Sequence, residues 1–248
     1  MIGRLLQNLL RRLLPVDRYL FRRICKGLGY DLDYAINKDA VRVLEAIFIE
    51  REYADWFPFY EKVVIVDVGG HYGYFSLFAA MNTAEGSAIY AIEPSAKNAA
   101  VFNQNVATCG FQNIHLLQKG LAAKPGEGQL LGKHSFNYHI HHRATKAGHS
   151  IELISLAQVM ERFQLDHIDF LKLDCEGAEY EIILHAPDEL LGRIRILSME
   201  FHDMRHQGFR PIQLVARLEA VGFKIRQYHF DPDYAAGNLN FGKIIATQ

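Results

Sequence analysis

The sequence predicts an α/β protein: a doubly wound, mostly parallel sheet of seven strands with a helical extension at its N-terminus. Two observations carry this. From Val63 onward, short apolar runs rich in β-branched residues alternate with stretches of helical length and spacing. The first of these runs also leads straight into a glycine-rich turn, and such alternation implies parallel strands joined by right-handed crossovers.

Taken in order, Val63–Asp67 is wholly apolar until its last residue, as expected of a strand buried on both faces. Phe75–Met81 follows as a helix. Ala88–Ile92 is the second strand, Lys97–Thr108 the second helix and Ile114–Leu117 the third strand. Ile168–Leu173 and Ile194–Met199 are two further strands, separated by a helix over Ala178–Leu184. Pro211–Val221 is a further helix. Phe223–Tyr228 and Gly242–Ala246, joined through Asp231–Gly237, read as strands near a sheet edge. Between Ala123 and Ser150 the alternation lapses. This stretch holds His134, His139, His141, His142 and His149 among several glycines, and predicts small hairpins or a mobile loop.

The first 60 residues form the expected extension and residues 61–248 the main domain. Leu5, Leu6, Leu9, Leu10, Leu13 and Leu14 fall on one helical stripe, with Arg4, Arg11 and Arg12 on the other side and Pro15 as the break. One reading docks this stripe on its own domain or on a second copy of the chain, as a homodimer. The other lays residues 1–26 on an anionic membrane surface. A second helical stretch covers Asp39–Tyr53. No run reaches the ~18 apolar residues of a membrane span, and no secretory signal is evident, so the expected location is cytoplasmic, with peripheral contact at the inner membrane surface as the variant. Net charge −1 leaves no basic field to gather nucleic acid. Cys25, Cys109 and Cys175 are odd in number and widely spaced, which suggests neither disulfides nor structural zinc.

The chemistry begins at Asp67-Val-Gly69-Gly70-His71-Tyr-Gly73. Glycines let the chain turn tightly and bring backbone close to a ligand. His71 stands where the dinucleotide fingerprint needs its second glycine, and a carboxylate sits at the strand tip. A pyrophosphate would avoid that anion, whereas the sulfonium and ammonium of S-adenosylmethionine would be drawn to it. The plainer reading is a tight turn with an N-capping acid. Glu93 closes the second strand, where an acid accepts both hydroxyls of a ribose. Leu121 and Ala122, after Gly120 at the end of the third strand, fall where an adenine would lie; an ordinary turn is the alternative. Asp174 and Glu176 follow Leu171-Lys-Leu173, and Glu200 and His202 end the neighbouring strand. Four polar groups thus converge beside the expected cofactor.

These residues resemble the FkbM-type methyltransferases. The resemblance rests on Asp67-Val-Gly-Gly-His-Tyr-Gly-Tyr-Phe-Ser76, Tyr90-Ala-Ile-Glu93-Pro94, Phe170-Leu-Lys-Leu-Asp174-Cys-Glu176-Gly-Ala-Glu179 and Glu200-Phe-His202, and spans Val63 to His202. It implies a Rossmann-like class I methyltransferase fold and methylation of hydroxyl oxygens, on sugars or glycans or on polyketide-like natural products. The family usually carries Ala-Asn where this chain has Gly70-His71. The resemblance gives no role to the histidine-rich segment.

An alcohol needs a base at neutral pH. His202 is the first choice and Glu176 the second, with Asp174 and Glu200 orienting base or acceptor. A divalent metal on Asp174, Glu200 and His202 is the less favoured route, and zinc on His202 and His206 or on the histidine-rich segment is less favoured still. Asp67, Gly69, Gly70, His71, Gly73, Glu93, Leu121, Ala122 and Asp174 are expected to hold the cofactor. The expected partner is a small hydroxylated acceptor rather than nucleic acid. A nicotinamide oxidoreductase would share Glu93 but needs the missing glycine. A catalytically inactive methyltransferase fold serving as an interaction module is the remaining alternative.

Overall fold

The computed structural model describes residues 43–131, 139–141, 148–202, 204–230 and 241–248. The leucine stripe, the start of the Asp39 helix, most of the histidine-rich segment and the Asp231–Gly237 connection lie outside those residues.

The main sheet is built from β1 (Val64–Val68), β2 (Ala88–Ile92) and β3 (Ile114–Leu117), continued by four later strands. Helix α1 (Tyr74–Asn82) links β1 to β2, and α2 (Ala96–Cys109) links β2 to β3. Ser95 caps α2 by accepting the amide of Asn98, and Gly110 ends it in the left-handed conformation. A small second sheet follows: β4 (Gly120–Leu121), β5 (Gly126–Leu131), β6 (His139–His141) and β7 (His149–Ile154), in the order β4-β7-β5-β6. The lapse in alternation is therefore antiparallel pairing of β5 with β6 and β7.

Helix α3 (Leu156–Arg162) is not expected from periodicity, because it is two turns long. Its signal is the capping box Ser155-Leu-Ala-Gln158, in which side chain and backbone bond reciprocally. Then come β8 (Ile168–Leu173), α4 (Glu179–His185), α5 (Asp188–Leu191), β9 (Ile194–His202), α6 (Pro211–Ala220), β10 (Lys224–Phe230) and β11 (Phe241–Thr247).

The order of the seven strands is β10-β11-β9-β8-β1-β2-β3. All neighbours are parallel except β11, which runs antiparallel to both β9 and β10. The order reverses between β1 and β8, and the crevice at the carboxyl ends there is where open α/β sheets bind ligands. Beneath one face lie Ile65, Phe75, Phe78, Phe102 and Phe170. Leu44, Tyr53 and Phe57 join that cluster from the segment before β1. The helix expected over Asp39–Tyr53 ends earlier, in a π-helical turn at Glu45–Ile49, and Arg51 then adopts a positive φ of 55°. This break turns Glu52 and Tyr53 back onto the sheet. Among the described residues no helix is long and apolar enough to cross a membrane.

Candidate active site

The site is built on four neighbouring strand tips, those of β2, β1, β8 and β9. β1 delivers Asp67 and then Gly69, whose φ of 77° is left-handed. A Cβ there would stand 1.7 Å from the Asp174 carbonyl oxygen, so the β1 turn and the end of β8 pack in contact only because Gly69 has no side chain. Gly73, at φ 85°, starts α1 with its bare face on the Phe102 ring. Gly70 also packs against that ring.

Asp67 is fully buried. Ser76 Oγ donates to it at 2.7 Å, and Lys172 Nζ lies 3.3 Å from its other oxygen. Lys172 also donates to the carbonyls of Val68 and Gly69 and stands 3.7 Å from Asp174. Burial works against the ammonium charge, but Asp67, Asp174 and Glu200 outweigh it and hold the lysine pKa above its ordinary value. Tyr53 presents its ring to two cations, Lys172 at 5.7 Å and Lys243 at 4.9 Å. Lys243 donates to the Glu52 carbonyl.

On the β2 side, Glu93 is buried. Its Oε2 accepts the His71 amide at 2.9 Å, and its Oε1 accepts the Ser95 amide at 2.8 Å and Asn98 Nδ2 at 3.2 Å. Burial pushes this carboxyl up to about 7 in spite of those donors. His71 has a positive φ of 48° and stacks on Tyr72, with ring centroids 3.8 Å apart. Burial, then the charge of Lys172, lowers its imidazole to about 4. Leu121 and Ala122 are buried, and the Ala122 amide donates to the Ile154 carbonyl. Leu121 lies in β4, and Ala122 just beyond it is tied to β7 by that bond.

On the β8–β9 side the acids gather around His202. Its Nδ1 lies 3.3 Å from Glu179 Oε1, and its Nε2 lies 3.3 Å from Glu176 and 3.8 Å from Glu200. Both ring nitrogens thus face carboxylates. Burial opposes its charge, yet Glu179, Glu176 and Asp174 raise it to about 10. Glu176 and Glu200 are themselves raised, first by burial and then by neighbouring acids. His206, four residues on, is exposed in a short turn and does not join the cluster.

Glu179 is the residue whose part sequence reasoning missed. It is fully buried and accepts the amides of Cys175 and Gly177 as well as facing His202. Its signal was the last acid of Lys172-x-Asp174-x-Glu176-Gly177-x-Glu179, which falls at the start of α4. Lys172, Glu52, Tyr53 and Lys243 were missed as well. The lysine lies in the same motif, but the other three reach the site from distant segments.

A glycine turn at the switch point of a seven-stranded sheet, with one antiparallel strand set between two others near the edge, defines the Rossmann-like methyltransferase class. The model of the methyltransferase FkbM domain matches residues 67–225, well over half of the sequence, and the chain belongs to that family. It is 24% identical to Methyltransferase 1 of Beauveria bassiana, an alignment covering 87% of this chain and 95% of that protein. It is 26% identical to Methyltransferase sdnD of Sordaria araneosa over 77% of this chain and 85% of that one. Among solved structures, a protein assigned as an rRNA methylase of Clostridium thermocellum matches with a TM-score of 0.50 and 11% identity. That match covers 80% of this chain and 94% of that one, and bears on the fold alone.

Proposed function

We propose that this chain binds S-adenosylmethionine and transfers its methyl group to a hydroxyl oxygen of a small molecule, of the sugar, glycan or polyketide-like kind. The observation that carries the reading is a shared contact. The β1 turn touches Asp174 through Gly69 and Glu93 through the His71 amide. One turn thus joins a buried carboxylate on one side to a cluster of proton-handling groups on the other.

The residues fit the cofactor. Glu93 is fixed by three N–H donors, and a carboxylate has about four acceptor sites in all, which leaves capacity for a ribose hydroxyl. Leu121 and Ala122, both buried, are the apolar residues assigned to the adenine side. When bound, S-adenosylmethionine supplies an electrophilic methyl on its sulfonium. Gly69, Gly70 and Gly73 let the turn pack against Asp174 and Phe102, and Lys172 holds the β1 and β8 tips in register.

Glu176 is the group we assign to take the hydroxyl proton. Its carboxylate is half-buried and stands against His202 Nε2, whereas both nitrogens of His202 already face acids. Glu179 fixes the His202 ring through Nδ1, and Glu176 stands against its opposite edge. Asp174 and Glu200 flank the pair and can accept hydrogen bonds from a polyhydroxylated acceptor. A positioned base contributes about 10²–10⁴ in rate.

The deciding experiment is calorimetric titration with S-adenosylhomocysteine, wild type against Glu93→Gln, followed by methyl transfer to a panel of hydroxylated acceptors. Saturable binding weakened in the variant supports the reading. A folded wild type that binds no S-adenosylhomocysteine would sink it and leave the interaction module.

A further inference from the structure

Asp174, Glu200 and His202 offer one ligand atom each, and the three atoms lie within 4.8 Å of one another. We propose that these residues hold a divalent cation of the Mn²⁺ or Mg²⁺ kind. Ligands bound to one ion at about 2.0–2.3 Å sit roughly 3–4.5 Å apart, so a small side-chain adjustment brings these three onto one ion.

A separate feature points the same way. Metal-bound histidines are oriented by a carboxylate behind the ring, on the nitrogen that does not meet the ion. Glu179 occupies that place: fully buried, outside the ligand set, 3.3 Å from His202 Nδ1 and anchored by the Cys175 and Gly177 amides. The ring is thereby turned so that Nε2 faces the acids of the β8 and β9 tips, with Glu200 at 3.8 Å.

The local cations do not fill the role. Lys172 reaches Asp174 at 3.7 Å, but its ammonium is committed to Asp67 and to the carbonyls of Val68 and Gly69. Lys243 pairs in register with Glu200, yet its ammonium is bound at Glu52. Both carboxylate ligands sit on or just beyond adjacent parallel strands, with Leu173 opposite Met199, so their spacing is set by the sheet. Two carboxylates and one imidazole leave further positions for water or other oxygens, the preference of hard divalent ions.

The test uses the full chain, dialysed against EDTA and titrated with Mn²⁺ while the electron-paramagnetic signal of free Mn²⁺ is followed. One saturable site is expected. Asp174→Asn and Glu200→Gln should each weaken it at least about tenfold, and Glu179→Gln by about tenfold through the ring it orients. Glu61→Gln, an exposed acid paired with Arg195, should leave binding unchanged. Circular dichroism checks the fold of each variant, and if Asp174→Asn does not fold, Glu200→Gln decides. An undiminished free signal with wild type overturns the proposal, as does binding that survives Glu200→Gln unchanged. Binding of S-adenosylhomocysteine is measured on the same samples. A chain that takes S-adenosylhomocysteine but no cation loses this inference and keeps the proposed function.

Discussion

The ammonium of Lys172 lies 3.3 Å from the Asp67 carboxylate, and both side chains are buried between the two central strands. They sit in register: Asp67 pairs with Lys172 across the β1–β8 ladder. The strand order reverses at this ladder, so the pair joins the two halves of the sheet directly beneath the ligand crevice.

Removing one member of that pair leaves the other as a buried, uncompensated charge. Lys172→Met is expected to cost about 3–5 kcal/mol, read as a lower urea midpoint. Adding Asp67→Asn to the same chain should recover part of the loss. A double variant less stable than Lys172→Met alone would show that the pair is not the source of the effect.

Gly69 and Gly110 have nearly the same backbone, with φ of 77° and 74°, but different surroundings. A Cβ at Gly110 meets nothing within 4 Å, whereas at Gly69 it meets the Asp174 carbonyl oxygen. Gly110→Ala should therefore cost only the left-handed strain, about 1–2 kcal/mol. Gly69→Ala should lower the melting temperature much further and abolish binding of S-adenosylhomocysteine. Equal melting shifts would refute the close-packing argument.

Glu93 carries a raised pKa of about 7, caused first by burial. If its carboxylate meets the ribose, affinity for S-adenosylhomocysteine should fall as pH drops below about 7, up to tenfold per unit, and flatten in Glu93→Gln. Stability runs the opposite way. A carboxyl whose folded pKa exceeds its unfolded one contributes most below about 4.3 and loses that contribution as pH rises through about 7. Melting curves between those limits should show Glu93→Gln gaining on wild type as pH increases.

Ser155 accepts the Gln158 amide, and Gln158 returns a bond to the Ser155 amide. Ser155→Ala should cost about 1 kcal/mol by denaturant unfolding while leaving S-adenosylhomocysteine affinity intact. A loss of affinity would mean that α3 also sets the β4–β7 contact beside Ala122.

Much of this site is legible in the chain's own pattern. Asp174, Glu176, Glu200 and His202 fall at the ends of two apolar runs, and parallel neighbours bring such ends together. Gly69, Gly73 and Glu93 are legible for the same reason, because each follows a strand whose buried pattern is unmistakable. The reach of Glu52 and Tyr53 into the site is hidden by a helix-like pattern that breaks at Arg51. The position of β11 is hidden as well, since an apolar run near the chain end does not state which neighbours it will join.

What the sequence by itself determined is local: which runs are strands, where the chain turns and which acids stand at the tips. Side-chain periodicity and turn chemistry act over a few residues, and these features need nothing more. Only the tertiary structure decided how the charges are shared. Asp67 became half of a buried ion pair, His202 came to face acids on both ring nitrogens, and Lys243 was carried to Glu52 across the sequence. Charge and proton affinity depend on burial and on every neighbour within a few ångströms, and those neighbours are set by the packing of distant segments.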